Sequence, residues 1–363
     1  MTHPVLRYLS RWYGCIPFAA ALVLAFAWGQ SLPTVGVLLV AVSLVGAVLT
    51  AVHHAEVVAH RVGEPFGTLV LALAVTVIEV ALILSLMLTG AQGAATLPRD
   101  TLFATVMIIA NGVLGICLVV GGLRHREQSF RVEGTGSGLA ALVALSTLVL
   151  VMPTFTTSSP EGTYTTSQLV FAGASSLALW AVFVFVQTVR HRDYFLPVPQ
   201  AHDMDAHAPR PSGHRTLASA ALLMLSLVAV VGLAKLLSPT IEALLAAAQA
   251  PQAVLGIVIA VIVLAPETLA AVRAARANRL QTSLNLAFGS ALASIGLTVP
   301  LVVAAAVWWR LPLVLGLEAK DLALLALTFV VGAITLGSGR THVMQGAVHL
   351  VIFAAFLFLA LVP

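Results

Sequence analysis

Charge and cysteine are scarce in this sequence, and so are hydrophilic stretches. Acidic and basic residues make up only 9% of the 363 positions, against roughly 25% in soluble domains, which excludes an ordinary water-soluble chain. Two cysteines, Cys15 and Cys117, lie in or beside apolar segments without C-x-x-C spacing. They give no disulfide framework and read as packing residues. No G-x-x-x-x-G-K loop is present to cradle a nucleotide phosphate, so no energy source beyond an ion gradient is implied.

What is abundant is apolar surface. Hydrophobic residues fill 60% of the chain and the mean hydropathy is +1.04. A membrane span needs about 20 mostly apolar residues, and eleven such runs are centred near Leu24, Val45, Val75, Ile109, Ser146, Val182, Leu227, Val261, Leu292, Thr328 and Phe353. The first follows Arg7 and Arg11 as a signal peptide would, but AWGQSLP has no clean small-x-small cleavage site. An uncleaved helix is expected there.

The pI near 9.5 does not require a nucleic-acid partner, because membrane proteins gather basic residues in cytoplasmic segments. With the N-terminus inside, eleven spans place 14 basic residues on the cytoplasmic side. Only Arg99, Lys235, Arg310 and Lys320 fall on the other, completing the 18. One missed or invented helix would destroy this asymmetry, so the N-terminus is expected in the cytoplasm and the C-terminus outside.

The one extended hydrophilic segment, residues 191–216, divides the chain. The expected architecture is an all-α integral membrane protein with an N-terminal helix in 1–34, five helices in 35–190, a cytoplasmic linker in 191–216 and five helices in 217–363. An odd number of helices per group inverts the second copy, as in many secondary transporters. His202, His207 and His214, with Asp203 and Asp205, read as part of a mobile solvated linker, with weak metal binding as the alternative.

Each half buries one carboxylate: Glu79 in LALAVTVIEVALI and Glu267 in IVIAVIVLAPETLA. An ionised group at the bilayer centre costs at least about 2.5 to 3.5 kcal/mol, so such a residue faces the bundle interior and is a functional candidate. The next helix in each half offers Asn111 with Gly112, or Gly289 with Ser290 and Ser294. Two carboxylates facing each other in a low dielectric cannot both stay ionised without a cation, so protons and a metal ion compete for them. Thr76, one turn before Glu79, offers a hydroxyl on the same face. Pro266 frees the carbonyl of Ile262 from its helical hydrogen bond, and hard cations take such oxygens; a simple packing kink is the alternative.

In HHAEVVAHRVGEP, residues 53–65, His53, Glu56, His60 and Glu64 share a helix face. The spacing resembles a metal site but lacks the H-E-x-x-H order of zinc helices. Glu56, His60 and Glu64 are instead candidates for a proton path or pH sensing, with a solvated helix end as the alternative. His342, Gln345 and His349 share a face of the last helix, and His349 reads as a hydrogen-bonding residue inside the span, with a part in transport as the alternative.

AEVVAHRVGEPFGTLVLALAVTVIE resembles the first signature of the calcium/cation-proton exchangers (CAX), matching without a gap at Glu56, Ala59, Gly63, Glu64, Gly67 and Glu79. VLAPETLAAVRAARANRLQTSLNLAFGSALASI is similar to the second, at Glu267, Gly289 and Ser290. The likeness is greatest to the bacterial sodium, potassium and calcium/proton antiporter type. It implies no enzyme activity and no cofactor: the ligands would be Ca2+, Na+ or K+ and H+, and the partners these ions and the lipid bilayer. The resemblance makes 53–64 an entrance to the ion path. The chain departs from the family at Val75 and Thr76, and at Val263 and Leu264, where Gly-Asn is usual. The glutamine of the second signature falls at Ser294 or Ala293. With fewer amide oxygens, calcium preference is weakened and sodium or potassium is left open. A passive cation channel and an intramembrane metalloenzyme on His53, Glu56 and His60 are the rival readings.

The orientation is testable by labelling. In a background lacking Cys15 and Cys117, a membrane-impermeant maleimide should reach Ala206→Cys in everted vesicles but not in intact cells. Ser159→Cys should show the reverse, and the opposite pattern would invert the topology.

Overall fold

The computed structural model describes residues 4–30, 32–62, 66–88, 90, 93–160, 162–196, 212–247 and 251–362. Among these, eleven long helices follow one another: α1 Pro4–Ala27, α2 Thr34–Val62, α3 Phe66–Met87, α4 Leu97–His125, α5 Val132–Phe155, α6 Thr166–Arg190, α7 Gly213–Ala247, α8 Ala253–Arg276, α9 Leu280–Trp309, α10 Ala319–Gly337 and α11 Val343–Leu361. Every centre read from the sequence falls within one of them. Nine are long and apolar enough to cross a membrane, while α1 and α3 contribute the shorter apolar stretches Trp12–Ala27 and Ala72–Met87. The chain is a multi-pass membrane protein. Cys15 is exposed and Cys117 buried, both as free thiols. Residues 202, 203, 205 and 207 of the linker lie outside the described residues, whereas His214 begins α7.

The helices pack as two compact units, Met1–Ala94 with Ala206–Ala250, and Ala95–Asp205 with Pro251–Pro363. Each draws on both halves of the chain, so the packing units cut across the division at 191–216.

In the first unit α2 lies along α7 and also meets α1 and α3. The buried residues Ala47, Val48, Ala51 and Ala55 of α2 recur at helical spacing, as do Val230, Leu233, Ala234 and Leu237 of α7. Glycines let α1 approach both: Gly46 faces Ile16 and Gly232 faces Leu24. At one end Tyr13 of α1 stacks on His53 of α2, with ring centroids 4.1 Å apart. At the other Lys235 lies 5.8 Å over the Trp28 ring, a cation–π pairing.

In the second unit α4 carries a wide π turn at Ile108–Val113, and α9 carries one at Ser294–Thr298. These two helices hold corresponding third places in their five-helix groups. A π turn adds a residue to the helical loop and recurs at functional sites. α11 seats against α4 through glycines. A Cβ at Gly115 would stand 2.9 Å from Leu350 Cγ, and one at Gly346 would stand 2.7 Å from the Val119 nitrogen.

Hydrogen bonds knit both ends of this unit. At one, Gln128–Ser129 pairs antiparallel with Arg340–Thr341, Gln128 Nε2 donates to the Ala275 carbonyl, and Asn285 Nδ2 donates to the Phe195 carbonyl. That end gathers the segments bearing Arg124, Arg126, Arg131, Arg190, Arg192, Arg273, Arg276, Arg279 and Arg340. At the other, Gly162, whose φ of +72° favours glycine, accepts from the Leu315 and Gly316 nitrogens through its carbonyl. Arg99 Nη1 donates to the Gly316 carbonyl there. Within this unit the basic residues therefore collect at one end, as the positive-inside count requires.

The glycine contacts set a stability test. Gly346→Val should lower the midpoint of thermal unfolding in detergent, because overpacking against backbone costs typically about 1 to 3 kcal/mol. Gly136→Ala, with nothing within 4 Å of the added carbon, should leave the midpoint unchanged or raise it slightly. Equal behaviour of the two would show that α11 does not depend on close approach.

Candidate ion and proton site

The first unit holds Glu79 and Thr76. Both are buried, at 1% relative exposure, one turn apart on α3, and Glu79 Oε1 has no access to solvent. Val75, Ile78, Val80, Leu82 and Ile83 are buried around them. This helix is enclosed on most of its surface, as expected of a segment whose carboxylate must avoid lipid.

The face expected to bear His53, Glu56 and His60 divides. The His53 ring is covered by Tyr13, whereas Glu56 and His60 are exposed. Glu64 lies outside the described residues. The neighbouring His54 was not singled out by spacing, yet it is buried and its Nε2 donates to the Tyr13 carbonyl at 3.1 Å. A ligand trio on His53, Glu56 and His60 is not assembled, while an exposed acid and base at a helix end suit an entrance.

The second unit holds Glu267, Asn111, Ser290 and Ser294. Glu267 is half-buried on α8, with Oε2 inaccessible to solvent. α8 runs unbroken through Pro266, whose missing N–H leaves the Ile262 carbonyl without its usual donor. Two residues later the Thr268 hydroxyl donates to the Leu264 carbonyl at 2.7 Å, a back-bond that helps bend helices.

Two anchors fix the depth of Glu267. Gly256 of α8 lies against the backbone of Asp100 in α4, and His125 Nε2 meets the Arg276 carbonyl at 3.0 Å. α4 and α8 therefore run in the same direction. Counted from Gly256 and Asp100, Glu267 is level with Asn111, and counted back from Arg276 and His125 it is level with Ile116, so the carboxylate stands between the wide turn of α4 and the turn that follows it. On the opposite side Ser283 of α9 donates to the Ala271 carbonyl at 2.6 Å. Ser283, Ser290 and Ser294 fall on one helical face, so the last two lie toward α8, Ser290 about one turn and Ser294 about two turns beyond the level of Glu267. Ser290 is half-buried and Ser294 buried.

Asn111 has its own partners. Its amide nitrogen donates to Thr328 Oγ1 at 2.9 Å, and its oxygen meets His349 Nδ1 at 3.1 Å. His342 and Gln345, the other members of the last-helix face, form the capping box that opens α11.

A family model for sodium/calcium exchanger proteins matches residues 32–189 and 218–362. The chain belongs to the sodium/calcium exchanger family. The two matched segments coincide with the five-helix groups, and the family is one of transporters, not enzymes. The chain is 50% identical over 359 residues to y4hA of Sinorhizobium fredii, whose name proposes an ionic transporter, covering 97% of this chain and 96% of that one. It is 38% identical over 343 residues to the sodium-potassium/proton antiporter ChaA of Escherichia coli, covering 93% of each. Among solved structures it resembles native YfkE, with a TM-score of 0.74 at 15% identity over 97% of this chain and all of that one. An H+/Ca2+ exchanger CAX gives a TM-score of 0.71 at 11% identity, over 97% of this chain and 88% of that one. These last two likenesses carry the exchanger fold.

Pro266 gives this site a direct test. Pro266→Ala should raise stability in detergent by restoring a donor to Ile262. If that carbonyl takes part in ion binding, the cation concentration for half-maximal exchange should rise about tenfold, the equivalent of one lost interaction of roughly 1.4 kcal/mol. Unchanged half-saturation would make the proline a packing kink only.

Proposed function

We propose that this protein is a secondary active cation/proton antiporter of the bacterial inner membrane, with a cytoplasmic N-terminus and its C-terminus on the opposite side. It exports calcium, sodium or potassium in exchange for protons by alternating access. The observation that carries this reading is that each unit encloses one glutamate in a membrane helix, Glu79 in one and Glu267 in the other, each with an oxygen shielded from solvent.

A carboxylate in low dielectric must be neutralised by a proton or a cation. Release of one load therefore favours uptake of the other. If loaded carboxylates cross between the two accessible states and bare ones do not, exchange is obligatory. Thr76, Ser290 and Ser294 supply neutral oxygens, Asn111 acts from the wide turn beside Glu267, and Glu56, His60 and Glu64 serve proton passage at the cytoplasmic entrance.

The antiporter of Escherichia coli, at 38% identity, supports coupling to protons with a monovalent cation. The hydroxyl-rich donor set agrees, since calcium takes six to eight oxygens, carboxylates prominent among them.

The test is dissipation of an acid interior in everted vesicles on adding calcium, sodium or potassium in turn. The wild type should respond to at least one ion with saturation. Glu79→Gln and Glu267→Gln, present at equal levels, should each abolish the response. Exchange surviving both substitutions would make the glutamates structural, and cation flux without proton movement would point to a channel.

A further inference from the structure

The side chain of Asn111 belongs to a closed chain of hydrogen bonds whose direction can be worked out. Thr328 gives its one hydroxyl proton to the Leu324 carbonyl at 2.7 Å, so toward Asn111 it can only accept. That fixes the amide, with Nδ2 on Thr328 and Oδ1 on His349. His349 Nδ1 must then carry a proton and donate, which leaves Nε2 to accept from the Thr335 hydroxyl at 3.1 Å. Asn111 and His349 have no exposed surface, and Thr328 and Thr335 are 1% and 2% exposed. The chain is therefore a dry link between α4, α10 and α11.

Its location gives it a consequence. Asn111 lies within the π turn Ile108–Val113, which packs against α8, the parallel helix that carries Glu267. A π turn is less favourable than regular helix and persists where tertiary contacts hold it. Gly112 packs under the Phe353 ring on the same side as His349, so α11 supports the turn by both contact and hydrogen bond.

We infer that His349 is a positioning residue for cation exchange, acting through Asn111 to hold the wide turn of α4 in register beside Glu267. This rests on the reading of Glu267 as an exchanging carboxylate. His349 itself touches no ion. Removing it frees the amide of Asn111 to turn and the π turn to relax, which displaces the surroundings of Glu267 without deleting any group that binds.

The experiment measures half-saturating cation concentration and maximal rate in everted vesicles, at matched protein levels, for His349→Leu, His349→Gln, Asn111→Leu, the double variant His349→Leu/Asn111→Leu, and Thr335→Val. Loss of a buried hydrogen bond predicts that His349→Leu raises half-saturation about tenfold while changing the maximal rate less than about threefold. His349→Gln, which keeps a donor and an acceptor, should recover most of the loss. The double variant should match Asn111→Leu alone, because coupled residues are not additive. Half-saturation within about twofold of wild type in His349→Leu, a fall in maximal rate alone, or multiplied effects in the double variant would overturn the inference. If His349→Leu fails to accumulate, Thr335→Val decides: it removes only the donor to Nε2, and unchanged half-saturation overturns the inference. Glu267→Gln in the same vesicles separates the two claims. Exchange lost in Glu267→Gln but ordinary in His349→Leu removes only the role of His349, whereas exchange retained in Glu267→Gln removes the reading of Glu267 as an exchanging carboxylate and this inference with it.

Discussion

Hydrocarbon offers no water to take up a stray hydrogen bond, so each polar group that this chain carries into a span must be met by another part of the chain. That constraint explains why so few charged residues are present and where they lie. In the second unit the arginines collect at one end, where Gln128, Asn278, Gln281 and Asn285 join the connecting segments through side-chain and backbone hydrogen bonds. At the opposite end Arg99 pairs with Asp100 at 2.8 Å. Between these polar ends the helices are joined by close approach at glycines and by a few hydroxyl and amide bonds. Thr328, Asn111, His349 and Thr335 form one such buried link.

The same constraint makes a buried carboxylate useful to an exchanger. In water a glutamate can lose its proton and its cation independently. Enclosed by apolar side chains, as Glu79 is by Val75, Ile78, Val80 and Ile83, a bare charge is too costly, and the proposed exchange would draw on that cost. Backbone carbonyls are the other source of oxygen in such a setting, and a regular helix withholds them. Pro266 and the π turns of α4 and α9 interrupt that regular bonding at the levels where the candidate side chains stand.

Much of this was legible in the sequence. Eleven apolar runs became eleven helices because hydrophobic length is a local property, and the two glutamates stood out because charge in an apolar run has no bland local explanation. Other features depend on partners far along the chain. Asn111 meets Thr328 and His349 across separations of 217 and 238 residues, which no spacing rule can find. The π turns leave composition unchanged and differ from regular helix only in hydrogen-bond register. His54 was passed over in favour of the spaced set His53, Glu56 and His60, although its ring is the one turned to the Tyr13 carbonyl. The division at 191–216 marks where the chain crosses between halves, while the packed units are set by which helices share faces.

The fate of Asn111 bears on ion selection. The exchanger signature places an amide beside each membrane carboxylate, and this chain has Thr76 at one such position and Leu264 at the other. Asn111 carries an amide on the next helix, but its oxygen is committed to His349 and its nitrogen to Thr328. On the neighbouring helix Ser290 carries a hydroxyl about one turn from the level of Glu267, and Pro266 releases the Ile262 carbonyl on α8. Such a set lacks the density of charged and amide oxygens that a calcium ion draws around itself. Within the proposed function, the bonding of Asn111 assigns its amide to holding the site's frame.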